Sequence, residues 1–429
     1  MLSIGIETGD LTLSGGLLAL VRPALGELVL GGELQVLSDS PSVAQDLASW
    51  CRAERHEYLG AEGSLGGRSI HRIVRGPYGV AEDPHVRFPP PGVQVHLGGM
   101  RMGEEPRLPL RKGRLLAADV LKAAPFPPSA DPHTGFAPRG ARVEPGGPAY
   151  PFTLLERDRT APPEVARLYD QAVAAQWDAT TDVPWAKVKP LPHALERALG
   201  QTMTFLAENE LSALYVPAKF LPRIHPAYAE VAMFLATQMN DEARHIEVFL
   251  RRARAGGGGL GVSSATTSRS LLSLLTLEDF TEAAFLLSVL GEGTFLDLLR
   301  FVEDHAPDEA TAVLVSKARA DETRHVHFGL AHVRHGLASD PALYGRLEAA
   351  VRRRAATMHD AGGAPASLQD ALTVLAARGT DPRGMARGHE AYRGLLHTMH
   401  ENRVKRMTHA GFTDSQAQTL SDLHTPNFM

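Results

Sequence analysis

The sequence holds a single cysteine, Cys51, among 429 residues. That excludes an intrachain disulfide and any cysteine-built zinc or iron–sulfur centre. It lacks an apolar run near the ~18–20 residues of a membrane span, so no membrane association is expected. Positive charge is not in excess: 44 Lys and Arg stand against 49 Asp and Glu, for a net charge of −5. This argues against a nucleic-acid or anionic-membrane surface. The opening stretch, MLSIGIETGD, has no basic segment and carries Glu7 and Asp10, unlike a signal peptide. A cytoplasmic protein is the expectation. With cysteine chemistry removed, the 19 histidines leave open the metal chemistry of His with carboxylates.

What is present is ordinary in amount and uneven in placement. Hydrophobic residues at 44 % and charged residues at 22 % suit a globular chain with a sizeable core. The length predicts two or three domains. Twenty of the 30 prolines fall between residues 76 and 193, including Pro89-Pro90-Pro91 and Pro127-Pro128, where long regular elements are not expected. The expected division is a small α/β unit at 1–75, a Pro/Gly-rich connection at 76–162, a helical bundle at 163–337 and a C-terminal helical extension at 338–429. The fold class is α+β and multidomain, mainly α. In the first unit, Glu33 to Leu37 alternates like a strand, and Ser40-Pro41-Ser42 begins a helix that runs to about Arg52.

One five-residue motif recurs, as Asp241-Glu242-Ala243-Arg244-His245 and as Asp321-Glu322-Thr323-Arg324-His325. Glu and His three apart share one helix face. Each pair also interrupts an apolar stripe: Val231, Leu235, Gln238, Glu242, His245, Phe249 in one helix, and Val315, Ala318, Glu322, His325, Gly329 in the other. A carboxylate facing the core is costly unless paired, protonated or metal-bound. A dinuclear site needs one more acid from each of two further helices. At about 195–216, Glu210 interrupts the stripe Leu199, Met203, Leu206, Ala213, with Glu208 as its rival. At about 277–305, Glu292 interrupts Phe285, Val289, Leu296, Leu299. Glu292 and Glu322 each lie 15 residues from Pro307, so a turn there between antiparallel helices returns both to one height. The connection at 217–226, with three prolines, is expected to climb as a loop.

The order Glu, Glu-x-x-His, Glu, Glu-x-x-His resembles the ferritin-like di-iron carboxylate superfamily. The Asp before each Glu-x-x-His and the Arg within it are similar to the hydroxylase subunits of bacterial multicomponent monooxygenases. Gln176-Trp177-Asp178 and Pro184-Trp185 also resemble segments of oxygenases in that superfamily. Over about 163–335 the resemblance implies a four-helix bundle with Glu210, Glu242, His245, Glu292, Glu322 and His325 as metal ligands. It implies Asp241 and Asp321 as acceptors for the ligand imidazoles, and Arg244 and Arg324 as ion-pair partners of neighbouring acids. Arylamine N-oxygenases of the superfamily carry an extra His one turn before the second motif, where this chain has Ala318. The N-terminal unit resembles the TusA-like sulfur-carrier family, through Gly9-Asp10-Leu11, residues 31–36, residues 46–50 and Arg55-His56-Glu57. That family works through a Cys near the end of its first strand, where this chain reads Leu13-Ser14-Gly15. Cys51 is expected to be a buried packing thiol.

The function so implied is a di-iron oxidoreductase, with two Fe or an Fe/Mn pair, that uses dioxygen to oxidise a small organic substrate. Electrons would come from a ferredoxin or reductase, since no flavin or nicotinamide motif is visible. The alternatives are a ferroxidase or peroxide-scavenging protein and a non-enzymatic adaptor. A substrate pocket is expected beside Phe205, Leu206, Phe285 or Phe295, with Gly293 leaving space near the metals. The glycine run at 256–261 follows a helix rather than a strand, so it is expected to be a flexible crossover and not a phosphate loop. His389, His397 and His400 share a helix face without accompanying acids and are expected to be bystanders.

Overall fold

The computed structural model describes residues 3–65, 68–76, 115–122, 124–141, 143, 146–359 and 364–424. The Pro-rich triplet at 89–91, with residues 77–114 of the expected connecting region, lies outside them. The chain divides into two compact units, residues 1–107 with 142–148, and residues 108–141 with 149–429.

The first unit is a four-stranded sheet carrying two helices. The element order is β1 (Ser3–Gly9), α1 (Leu18–Gly26), β2 (Glu33–Ser38), α2 (Val43–Ala53), β3 (Glu57–Leu65) and β4 (Arg68–Val74). In space the strands run β1-β2-β4-β3. β1 pairs parallel with β2, Ile4 opposite Leu34, and β4 runs antiparallel to both β2 and β3. The apolar sides of α1 and α2 close on the sheet through Leu17, Val21, Leu25, Leu34, Val36, Leu47 and Ile73.

The second unit is helical. Four long rods form its centre: α5 (His193–Phe220), α6 (Ala229–Ala255), the run from α8 (Phe280–Ala284) through a π-helical stretch (Phe285–Glu292) into α9 (Gly293–Asp304), and α10 (Glu309–Ser339). α5 packs along α6, and α9 packs along α10. Around them lie α4 (Val165–Ala174), α7 (Ala265–Leu275), α11 (Leu343–His359), α12 (Ala366–Ala377), α13 (Pro382–His409) and α14 (Asp414–Leu423), after a short α3 (Ala117–Lys122). Local chemistry sets the ends of the rods. Asp279 caps α8 through the amides of Thr281 and Glu282, and Asp308 caps α10 through that of Thr311 at 2.8 Å. Among the described residues, no helix is long and apolar enough to cross a membrane.

Two expectations about connections are corrected. Pro217 does not begin a loop: it lies inside α5, which continues to Phe220. The glycine run is not slack. A Cβ on Gly200 would stand 2.4 Å from the carbonyl oxygen of Gly259, and one on Gly258 would stand 2.6 Å from that of Glu196. The glycines let this loop lie directly on the α5 backbone.

Candidate metal centre

Glu210 comes from α5, Glu242 and His245 from α6, Glu292 from the end of the π-helical stretch, and Glu322 and His325 from α10. All six are at least 98 % buried. They form two overlapping groups, Glu210, Glu242, His245 and Glu322, and Glu242, Glu292, Glu322 and His325. Within each group the facing nitrogen and oxygen atoms all lie within 4.8 Å of one another. Glu242 and Glu322 belong to both groups, as bridging carboxylates would. Glu208 lies outside the cluster and hydrogen-bonds Ser263. The π-helical stretch inserts an extra residue per turn just where the chain must present Glu292.

Each imidazole has its two nitrogens in different settings. Nδ1 of His245 stands 3.2 Å from both Glu242 Oε2 and Glu322 Oε1, and 3.7 Å from Glu210. Nδ1 of His325 stands 3.1 Å from Glu242 and 3.3 Å from Glu322. The Nε2 atoms point away and donate across the bundle. His245 Nε2 bonds Asp321 at 3.1 Å, and His325 Nε2 bonds Asp241 at 3.3 Å. The Asp of each motif thus serves the His of the other. A ligand imidazole needs this arrangement, with one nitrogen free for metal and the other anchored.

The two Asp residues are held from outside by a polar belt. Arg244 and Arg324 each contact both Asp241 and Asp321. Trp177 Nε1 donates to Asp321 at 2.7 Å, and Gln176 Nε2 donates to Asp241 at 3.0 Å. Arg244 stacks over Trp177, 4.7 Å from the ring centroid. The sequence marked Gln176 and Trp177 only as a resembling segment. The structure ties both into the belt.

Electrostatics show what the cluster lacks. Burial, and then the charges of Glu322 and Glu242, push Glu210 well above the usual carboxylate range, and burial with Glu322 does the same to Glu292. Burial also acts to raise Glu242, but His325 and His245 outweigh it and hold that carboxyl low. Both histidines are pushed well above their usual range, because the surrounding carboxylates overcome the burial that favours neutral imidazole. Buried atoms still face each other without a hydrogen-bond partner: Glu210 Oε1, both oxygens of Glu242, Glu292 Oε2, Glu322 Oε1 and His245 Nδ1. Four carboxylates and two imidazole nitrogens fit a pair of divalent ions of the iron or manganese type.

Gln238, on the stripe of Glu242 but not singled out in the sequence, donates to Glu292 Oε1 at 3.0 Å. It also borders a cavity of about 20 Å³ with Ser288, Leu235, Phe220, Phe280 and Phe328. That void has room for about one water-sized molecule. The four residues expected to line a pocket do not line it. Phe205 and Phe295 pack together, with ring centroids 6.4 Å apart, and Leu206 and Phe285 are core. The expected space at Gly293 is filled, since a Cβ there would stand 2.7 Å from Arg406 Nε. His332 is a buried histidine bonded to Thr281 at 3.0 Å, while His327, His389 and His397 are exposed.

No protein-family model matches the chain, and no curated protein matches it. Among solved structures it is similar to an R2-like ligand-binding oxidase with an aerobically reconstituted metal cofactor after photoconversion, with 20 % identity and a TM-score of 0.44 over 57 % of this chain and 92 % of that one. Variants of that oxidase with Fe/Fe and with Mn/Fe cofactors align with the same values. A likeness this slight bears no weight on the reaction. The donor set above does.

Proposed function

We propose that the helical unit is a ferritin-like dimetal oxidoreductase that uses dioxygen to oxidise a small organic substrate. Glu210, Glu242, His245, Glu292, Glu322 and His325 would hold two iron ions or an Fe/Mn pair. The observation that carries this reading is the pair of buried His/carboxylate groups sharing Glu242 and Glu322. Such ions would supply the redox chemistry that dioxygen reduction requires. The chain's own part is support. Asp241 and Asp321 fix the tautomer and orientation of the two imidazoles, and Gln238 fixes Glu292. The apolar residues of four helices exclude bulk water. Electrons would come from a ferredoxin or reductase. The test is dioxygen uptake by the reduced, metal-loaded protein across a panel of small organic compounds. Substrate-dependent uptake with an oxygenated or dehydrogenated product supports the proposal. Rapid oxidation of added ferrous ions, unaffected by any compound, favours a ferroxidase instead.

We read the N-terminal unit as a TusA-like module that no longer carries sulfur and serves to dock a partner. Its strand and helix order, β1-α1-β2-α2-β3-β4, supports this. Cys51 is fully buried, and burial pushes its thiol up to about 12, so little thiolate is available to carry a persulfide. Incubation with a cysteine desulfurase and labelled cysteine should leave the chain unlabelled. Stoichiometric, transferable label on Cys51 would overturn this reading.

A further inference from the structure

One residue beyond Glu292, the helical unit buries a group of three arginines and a histidine. Arg354 of α11, Arg403 of α13 and His424, just past α14, are 5 %, 6 % and 7 % exposed. The Arg406 side chain is 13 % exposed and lies against Gly293, whose missing side chain leaves room for its guanidinium. Among the described residues, Asp297 is the one acid hydrogen-bonded to Arg403 or Arg406, and both its oxygens are engaged. Oδ2 accepts from Arg406 Nη1 at 3.2 Å, and Oδ1 accepts from Asn402 at 2.7 Å. Among the described residues, Arg403 donates to the hydroxyls of Thr294 and Ser421, both at 3.4 Å. Arg354 donates to the carbonyl of Ser270 and to the hydroxyls of Ser270 and Ser273. The group is tight enough that burial first, then Arg403, Arg354 and Arg406, hold His424 well below the usual imidazole range.

Arg406 and His424 leave three buried side-chain nitrogens without a partner: Arg406 Nε, Arg406 Nη2 and His424 Nε2. Nε and Nη2 form one edge of a guanidinium, the edge that clasps two oxygens of a carboxylate or phosphate at once. This chain shows that use elsewhere. Arg72 holds Glu33 by the same edge, with Nε to Oε1 at 2.7 Å and Nη2 to Oε2 at 2.6 Å. A buried guanidinium edge without an acceptor is costly, and an anion on that edge of Arg406 would remove the cost.

We propose that Arg403, Arg406 and His424 form a binding site for a small oxyanion of the phosphate or carboxylate class. The inference stands on these residues and not on the identity of the metals. It is tested by calorimetric titration of the metal-loaded full chain with inorganic phosphate and, separately, with succinate. The expected result is saturable binding of one probe at one per chain, and the probe that binds distinguishes the two classes. Arg406→Gln should weaken that binding by about tenfold or more while leaving the metal content unchanged. Arg403→Lys, which keeps the charge and loses the fork, should weaken it less. No saturable binding of either probe to the parent chain overturns the proposal, whatever the variants do. Undiminished binding in Arg406→Gln also overturns it, because the anion then sits elsewhere, for instance on the metals. Loss of metal from Arg406→Gln would assign the arginine to the metal centre and overturn it as well.

Discussion

Glu208 and Glu210 are two residues apart on α5 and have different environments. Glu210 faces two acids and a histidine, whereas Glu208 is half-buried against Ser263. Glu210→Ala, Glu242→Ala and Glu322→Ala should therefore each abolish binding of a metal pair, and Glu208→Ala should spare it, as read by elemental analysis of the purified variants. Asp321 accepts from both His245 and Trp177. Asp321→Asn keeps the shape and loses the charge, and it should weaken metal affinity about 10- to 100-fold in competition with a chelator of known strength. Trp177→Phe removes one of the donors to Asp321 and should do less. The six cluster residues were legible in the sequence because each breaks an apolar stripe of helical period. The crossing of each Asp to the other motif's His was not, since it depends on how α6 and α10 are placed side by side. Gln238 lay on a named stripe, but an amide at a core position carries a weaker signal than a carboxylate, because burying it costs less.

At the scale of elements, glycine separates what packs from what does not. Gly200 meets the backbone of Gly259, which cannot move aside as a side chain can. Gly200→Ala should cost about 1–3 kcal/mol, seen as a lower denaturant midpoint. Gly394 sits in α13 with nothing within 4 Å of its would-be Cβ, so Gly394→Ala should stabilise by up to about 1 kcal/mol. The same comparison explains where sequence reasoning about elements stopped. Residues 256–261 read as slack because glycine is permissive, and here that permissiveness serves a close approach. Pro217 read as a breaker, yet α5 runs through it to Phe220 at the cost of one amide-to-carbonyl bond. The π-helical turn before Glu292 leaves no mark in composition, since it depends on a one-residue slip in hydrogen bonding.

At the scale of the molecule, the helical unit gathers four carboxylates and two imidazoles from four separate rods. Without cations, the mutual repulsion of the acids is relieved only by protons. Two bound ions should hold the rods together, so chelation should lower the thermal midpoint of the helical unit. Ligand present at a thousandfold above its dissociation constant contributes about 4 kcal/mol. Restoring ferrous ions should reverse the loss, and scanning calorimetry of the stripped and reloaded protein would show it. The buried arginines next to α9 left no mark in the sequence, because α11, α13 and α14 read only as an undifferentiated helical tail. The central claim is that this cluster is a dimetal centre. Its most direct test is the metal content of the protein expressed in iron- and manganese-replete medium. The expected result is about two ions per chain, iron alone or iron with manganese, falling to a trace in Glu242→Ala. A parent protein that is folded yet holds no more than trace metal would contradict the account.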